Sequence, residues 1–545
     1  MFRLALACVT TVAALAGPFD GNQDGCRYLI ICRDELVNSV MPLAEWKHAT
    51  GVSTKVVPLS IVGNDTTSIK NYVKYAYQNW PMPPEYVLLV GAPTLLASRF
   101  YQGQWSYSSD NIYGDVTGDL RLEIPVGRFP AKSSAQLDVM VAKTLAYLQK
   151  PELSDTLWMR RLTCAIRDAG DSDWPTYWYD ARFAAQLAGT GGFVSCDTFA
   201  SSLGHSAYDV QNAVSRGTGL VLYRGSATGN WYDPFRVDPA SCLGGKKLPI
   251  VLSMTCATMT LTPGESMVGE AWVKAGTTEN LRGSVAFFGN CHSGVHVAQV
   301  RSACARGFFT GLFTENKYKL GQAAIRAKAQ LYQEYPSSTD DYRGFNLLGD
   351  PELSIWTAKP KELTVQHPVE IYTGQQQIEV EVRHKLTPVR NALVCASMDT
   401  SVYSTGMTDS LGRVTLAVNP SDTGQLRLVV TGQNLLPYDA NITVIEEVGL
   451  EDGPGVPADA VFSARPTAFT GRVVFSVSTR ASGRSIVISD AQGRRVCSLE
   501  LGSSAVVWNG TSQSGSPFGP GVYFCRLLGP SGRTLSQLKL CRLNH

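Results

Sequence analysis

Histidine is scarce in this chain, with seven among 545 residues. Imidazole is the usual acid–base group near neutral pH, so such chemistry has few places to sit. Neither a CxxC pair nor an HExxH helix occurs, which argues against a structural or catalytic zinc. No stretch beyond the N-terminus reaches the roughly 18–20 unbroken apolar residues of a membrane span. Charge of one sign is not in excess either. The 48 Lys and Arg balance 46 Asp and Glu to a formal +2, so the charge gives no footprint for nucleic acid or an anionic membrane. The cysteines are dispersed, without the dense spacing of a disulfide scaffold.

What is present begins with a leader pattern. Met1-Phe2-Arg3 supplies a positive charge, Leu4 to Val9 a short apolar core, and Ala14-Leu15-Ala16 a small-residue cleavage signal. Residues 1–16 therefore read as a signal peptide, and the mature chain as exported, soluble or held at the surface by other means. Twelve cysteines remain after cleavage. Several, such as Cys32 and Cys164, lie in strand-like runs and read as small buried hydrophobes.

The length suits three or four domains. Up to about residue 357, short apolar runs alternate with helical patterns. Strand candidates are Tyr28 to Cys32, Tyr86 to Val90, Leu162 to Ile166, Gly219 to Tyr223, Ile250 to Met254 and Ser284 to Phe288. Ser134 to Leu148 and Tyr179 to Leu187 carry helical spacing. Such alternation predicts an α/β domain over 26–357, in two parts of about 26–150 and 151–357, with a mostly parallel sheet flanked by helices. From 360 to 446 the pattern becomes strand-like and broken by turns, as in a small Ig-like β-sandwich. An acidic, Gly- and Pro-rich linker spans 447–461, and a second all-β, Ig-like module closes the chain at 462–545.

Cys256 ends the apolar run from Pro249 and falls at the carboxyl edge of the expected sheet, where open α/β sheets place reactive groups. A cysteine buried on a strand is usually inert, but one at a strand end beside an irregular loop is a candidate nucleophile. The preceding run, Gly219 to Tyr223, ends in Arg224-Gly225-Ser226.

Four segments resemble the gingipain family of secreted cysteine peptidases, which have a caspase-like fold. They are Asp110, Tyr113, Pro125, Gly127 and Arg128 as D-x-x-Y…P-x-G-R; Leu220 to Gly225; Thr255-Cys256 with Glu265 to Ala271; and Gly349-Asp350-Pro351. The resemblance implies endopeptidase activity through a Cys256 thiolate, with a histidine at the neighbouring strand end. Here that position reads Ser226, whose hydroxyl is no base at neutral pH. His292, after the next strand, is the candidate replacement base, competing with a plain loop role; His296 lies further out. His205 belongs to the opposite edge, and His48, His367, His384 and His545 fall away from the site. Gly225, Trp231 and Asp168 are candidates for substrate binding, Asp168 lying near the acid that orients the family's histidine. Asp171 and Asp173 are nearby, but neither aligns securely with an acidic specificity group, so preference for basic residues does not follow. A disulfide between Cys256 and Cys291 would end the peptidase reading.

Asp490 to Arg494, Trp508-Asn509-Gly510 and Gly521 to Phe524 resemble the C-terminal sorting domains of type IX secretion cargo, with FlgD-like Ig modules. That implies export to the surface or medium through the secretion machinery, with a plain adhesive β-module without a sorting role as the alternative. Gingipains carry a long pro-domain, whereas here the first expected strand follows the leader by about ten residues. No cofactor is assigned; calcium suits an exported enzyme, but no loop has the spacing to place it. The partners expected are a protein or peptide substrate and the secretion machinery. A second function is also consistent with these residues: a catalytically inactive pseudopeptidase used for surface binding or display.

Overall fold

The structure, a computed structural model, describes residues 25–264, 267–295, 297–399, 401–446, 462–477, 485–501, 505–512, 515–529 and 534–543. The leader, the 447–461 linker, Glu265, Ser266, His296 and His545 lie outside the described residues.

Ten strands form one sheet in the first unit: β1 (Tyr28–Cys32), β2 (Thr54–Pro58), β3 (Tyr86–Val90), β4 (Val126–Phe129), β5 (Arg161–Ile166), β6 (Ser195–Ala200), β7 (Leu220–Arg224), β8 (Ile250–Ser253), β9 (Ala286–Asn290) and β10 (Phe345–Leu348). Across the sheet they run β2-β1-β3-β4-β10-β9-β8-β7-β5-β6. Every pairing is parallel except β9 with β10. The parts expected at about 26–150 and 151–357 share this sheet, joined where β10 inserts between β4 and β9.

Among the helices that cover its faces are α1 (Val37–Ala49), α2 (Ser134–Gln149), α3 (Trp174–Thr190), α4 (Ala298–Phe313) and α5 (Leu320–Glu334). Alternate residues of each strand feed opposite cores. Leu222, Leu252 and Phe288 pack with Ala184, Phe308 and Ala327 of α3, α4 and α5. Val221, Val251 and Phe287 share a core with Leu43 of α1 and Leu137 of α2. Both faces are covered, so the central strands read as unbroken apolar runs. The rim strands β2 and β6 are half-exposed and more polar, and their sequence pattern is correspondingly weak.

The residues that carry the family resemblance mostly build the frame. Arg128, fully buried, forks onto both oxygens of Asp110 at 2.6 and 2.8 Å. The Tyr113 hydroxyl donates to the Ala97 carbonyl. Gly127 can carry no side chain, because a Cβ would lie 2.3 Å from the Gly349 carbonyl oxygen. Gly349 itself sits at φ +134, a conformation favouring glycine. Asp350 accepts from the Tyr28 hydroxyl at 2.7 Å and lies 2.5 Å from the buried Lys47 ammonium.

Residues 364–445 form two further sheets around a core that includes Val380, Val394, Leu416, Leu428 and Ile442. They dock on α1, where Trp46 and Ala49 meet Val429. In the separate C-terminal unit, sheets of three and five strands enclose Phe475, Ile488, Trp508 and Cys525. Its sequence motifs are turn and core elements. Asp490 accepts from the backbone of Gln492 and Arg494, and Trp508 is buried with its indole N–H on the Thr511 carbonyl.

Candidate active site

β7, β8 and β9 end side by side at the carboxyl edge, and their continuations cross-bond. The Met254 N–H donates to the Tyr223 carbonyl at 3.2 Å, and the Ala257 N–H to the His292 carbonyl at 3.2 Å. The Thr255 hydroxyl donates to the Gly225 carbonyl. Gly225 has φ +153, and a Cβ there would lie 2.6 Å from the Arg167 Cβ. Cys256 thus stands at the tip of a turn clamped on both sides, half-exposed.

The sulfur meets a guanidinium. Arg301 of α4 donates from Nη1 to Cys256 Sγ at 2.7 Å. On the other side the thiol lies 3.5 Å from the Gly294 carbonyl oxygen. Arg301 is almost wholly buried; its Nε donates to Asp341 Oδ1 at 2.9 Å. That oxygen also accepts from the Asn290 amide at 2.9 Å, and the same amide's oxygen receives the His292 backbone N–H at 2.8 Å. His292 Nδ1 lies 3.6 Å from Asp341 Oδ2, ion-pair range but beyond a hydrogen bond. The imidazole leans on Tyr107, with ring centres 5.1 Å apart. Cysteine, arginine, aspartate and histidine are therefore linked in one buried-to-surface chain.

Burial opposes the charge of Asp341, yet the Arg301 cation and then His292 outweigh it and hold the carboxyl below the usual range. Burial likewise opposes the Arg301 charge, and Asp341 and Cys256 more than offset it. A guanidinium does not give up its proton in a protein. It can hold a negative sulfur but cannot act as base or acid.

Ser226 follows β7, and its hydroxyl donates to Asp171 Oδ2 at 2.7 Å. Asp171 also lies 3.5 Å from Arg167. The carboxylate beside the Ser226 position is therefore Asp171, not Asp168. Asp168 accepts from the Ser201 hydroxyl at 2.9 Å, the Ser202 N–H at 2.8 Å and the Trp178 indole at 2.8 Å. Burial pushes its carboxyl up, but the bonds from Ser202, Trp178 and Ser201 win and bring it down to about 2. The oxygens of Asp168, a sequence candidate for substrate binding, are thus occupied by donors of the fold itself. Trp231, the other such candidate, lies inside the fold. It has no exposed surface, stacks on Tyr223 with centres 4.4 Å apart and donates to the Ser253 hydroxyl, so it supports the β8 end from beneath.

No disulfide joins Cys256 to Cys291; both are free, and Cys291 accepts from the Asn346 amide at 3.5 Å. Arg301 and Asp341 were not legible as site residues. The available signal for Arg301 was a cation among the small and apolar residues that open α4, where a buried charge needs a partner.

Among the described residues no group of three or more His, Cys, Asp or Glu could hold a metal, and no helix is long and apolar enough to cross a membrane.

With that geometry in place, similarity to known proteins is informative. Gingipain R2 of Porphyromonas gingivalis is 23% identical over 501 residues, 89% of this chain and 64% of that protein. Gingipain R2 of a second strain of the organism matches at the same identity and coverage. The chain thus spans 64% of the length of the curated relatives it matches. The crystal structure of the Arg-specific cysteine proteinase gingipain R superposes with a TM-score of 0.69 at 20% identity, over 78% of this chain and 99% of that one. Peptidase family C25 matches residues 22–356, across the whole ten-stranded domain. The chain belongs to peptidase family C25.

Proposed function

We propose that this chain is a cysteine-type endopeptidase in which Cys256 attacks as a thiolate held by Arg301, with His292 as its acid–base group. The observation that carries this reading is the 2.7 Å bond from Arg301 to the Cys256 sulfur, continued through Asp341 to His292. A cation beside a cysteine favours the nucleophilic thiolate. The thiolate adds to the peptide carbonyl carbon, and collapse of the tetrahedral intermediate expels the amine, which takes a proton from the imidazolium. Water, deprotonated by the neutral imidazole, then releases the acyl group. Asp341 lies 3.6 Å from Nδ1, which leaves Nε2 for proton transfer. Turning Nε2 to the leaving nitrogen requires the Cys291–Gly294 turn to shift as substrate binds, as catalytic contacts often tighten only in the complex.

One observation favours a second reading, a non-catalytic peptide-binding domain. Ser226 is tied to Asp171 where the family pattern places histidine, and among the described residues no imidazole hydrogen-bonds the sulfur. The test is cleavage of a quenched fluorescent peptide library by the wild type, C256A and H292Q. Cleavage lost in both variants supports the peptidase reading. No cleavage by any form, with peptide still bound, supports the second. Cleavage lost in C256A alone removes His292 from the mechanism. Export to the surface or medium belongs to the same proposal, supported by the leader pattern and the sorting-type residues of the C-terminal unit.

A further inference from the structure

At the sheet rim farthest from β2, Cys164 of β5 and Cys196 of β6 bring their sulfurs to 3.8 Å. The strands are parallel, with Leu162 opposite Cys196 and Cys164 opposite Thr198, so the two side chains reach diagonally across one rung. Cys164 is fully buried and Cys196 half-exposed. β6 is the terminal strand, paired in this sheet only with β5, and a terminal strand with one free edge is where a sheet opens most easily.

We propose that Cys164 and Cys196 are a disulfide site, oxidised by exchange with a small-molecule disulfide such as oxidised glutathione. The exposed Cys196 reacts first. Its thiolate attacks one sulfur of the oxidant, forming a mixed disulfide and releasing one thiol. Cys164 then gives its proton to solvent and attacks the Cys196 sulfur, forming the protein disulfide and releasing the second thiol. Two electrons pass to the oxidant, and the two protons lost by the cysteines are taken up by the released thiols. The order follows from the local bonding. The hydrogen bond with Cys164, against opposing burial, lowers the pKa of Cys196 with help from Thr198, while the same bond and then burial raise that of Cys164. The more acidic, more accessible thiol is the better attacking group.

The consequence reaches the candidate active site. β5 continues into the loop bearing Arg167, Asp168 and Asp171, and β6 continues into Ser201 and Ser202, which hold Asp168. A covalent rung between β5 and β6 fixes these two continuations against each other, and with them the loop from which Asp171 meets Ser226.

The full chain is equilibrated with mixed oxidised and reduced glutathione, alkylated with iodoacetamide under denaturing conditions and digested with trypsin. The expected result is one linked species carrying Cys164 and Cys196, separable by reduction. C196S then leaves Cys164 alkylated, and C164S leaves Cys196 as the mixed disulfide with glutathione. Separate alkylation of both cysteines in the wild type, or linkage of either to another cysteine, overturns the proposal. Limited proteolysis at β6 should be roughly tenfold slower in the linked protein, because local opening of the rim is suppressed; equal rates overturn the clamp.

Discussion

Arg301 donates to the Cys256 sulfur at 2.7 Å while its other edge donates to Asp341 at 2.9 Å. One guanidinium thus joins the nucleophile candidate to a buried carboxylate, a task a planar fork performs and a point-charge ammonium does not. R301Q should slow iodoacetamide alkylation of Cys256 at neutral pH by roughly tenfold, because the thiolate loses its cation. It should also cost about 3 kcal/mol of stability in urea unfolding, since Asp341 is left buried without its charge partner. Unchanged alkylation in a folded variant would mean that the contact does not activate the sulfur.

Asp168 makes stability pH-dependent. Its carboxyl is held at about 2 in the folded chain against 3.8 as the reference value. Above about pH 5 folded and unfolded forms are both ionised and the stabilisation, about 2 kcal/mol, is complete. As pH falls toward 2 the unfolded chain takes up its proton first and the stabilisation disappears. D168N should therefore be less stable than wild type at pH 6 by about 2 kcal/mol, with the gap narrowing as pH falls from about 4 to about 2. A gap constant with pH would assign the loss to packing instead.

The residues readable from sequence are those whose role is local. Central strands such as β3 and β8 stand out because both faces are covered, and Cys256 and Ser226 were placed because each follows such a strand. The partners of Cys256 were hidden because they arrive from far along the chain: Arg301 is 45 residues away, and Asp341 another 40. Trp231 resembles a pocket wall in sequence, yet stacking on Tyr223 takes its whole surface. Asp168 and Asp171 differ by three positions, and only the turn between β5 and α3 decides which one reaches Ser226.

The frame beneath the site depends on Lys47. Its ammonium is fully buried, 2.5 Å from Asp350 and bonded to Glu352. Burial opposes ionisation of Glu352, but Lys319 and Lys47 overcome it and bring the carboxyl to about 2. K47M keeps the volume and removes the charge, leaving Glu352 with Lys319 and taking from Asp350 its ion-pair partner. The expected loss is about 3–5 kcal/mol at pH 7. It should shrink as pH is lowered, because Glu352 can then be protonated in the folded variant. A loss below about 1 kcal/mol at pH 7 would show that the cluster is solvated in solution.

An imidazole introduced at position 226 tests the flank of the site opposite His292. Ser226 is half-exposed, so a larger ring has room, and Asp171, 2.7 Å from the present hydroxyl, is placed to accept its N–H. In S226H the imidazole would stand at the end of β7 beside the Cys256 turn, on the opposite flank from His292. A well-placed general base or acid is worth roughly 10²–10⁴-fold. S226H is therefore expected to raise kcat/KM on a cleaved peptide about 10²-fold, or to create cleavage where the wild type shows none. The gain must vanish in the S226H/C256A double variant, which separates it from a contaminating peptidase. A folded S226H with no gain would place the reacting carbonyl out of reach of this flank, leaving the Arg301–Asp341–His292 side as the working half of the site.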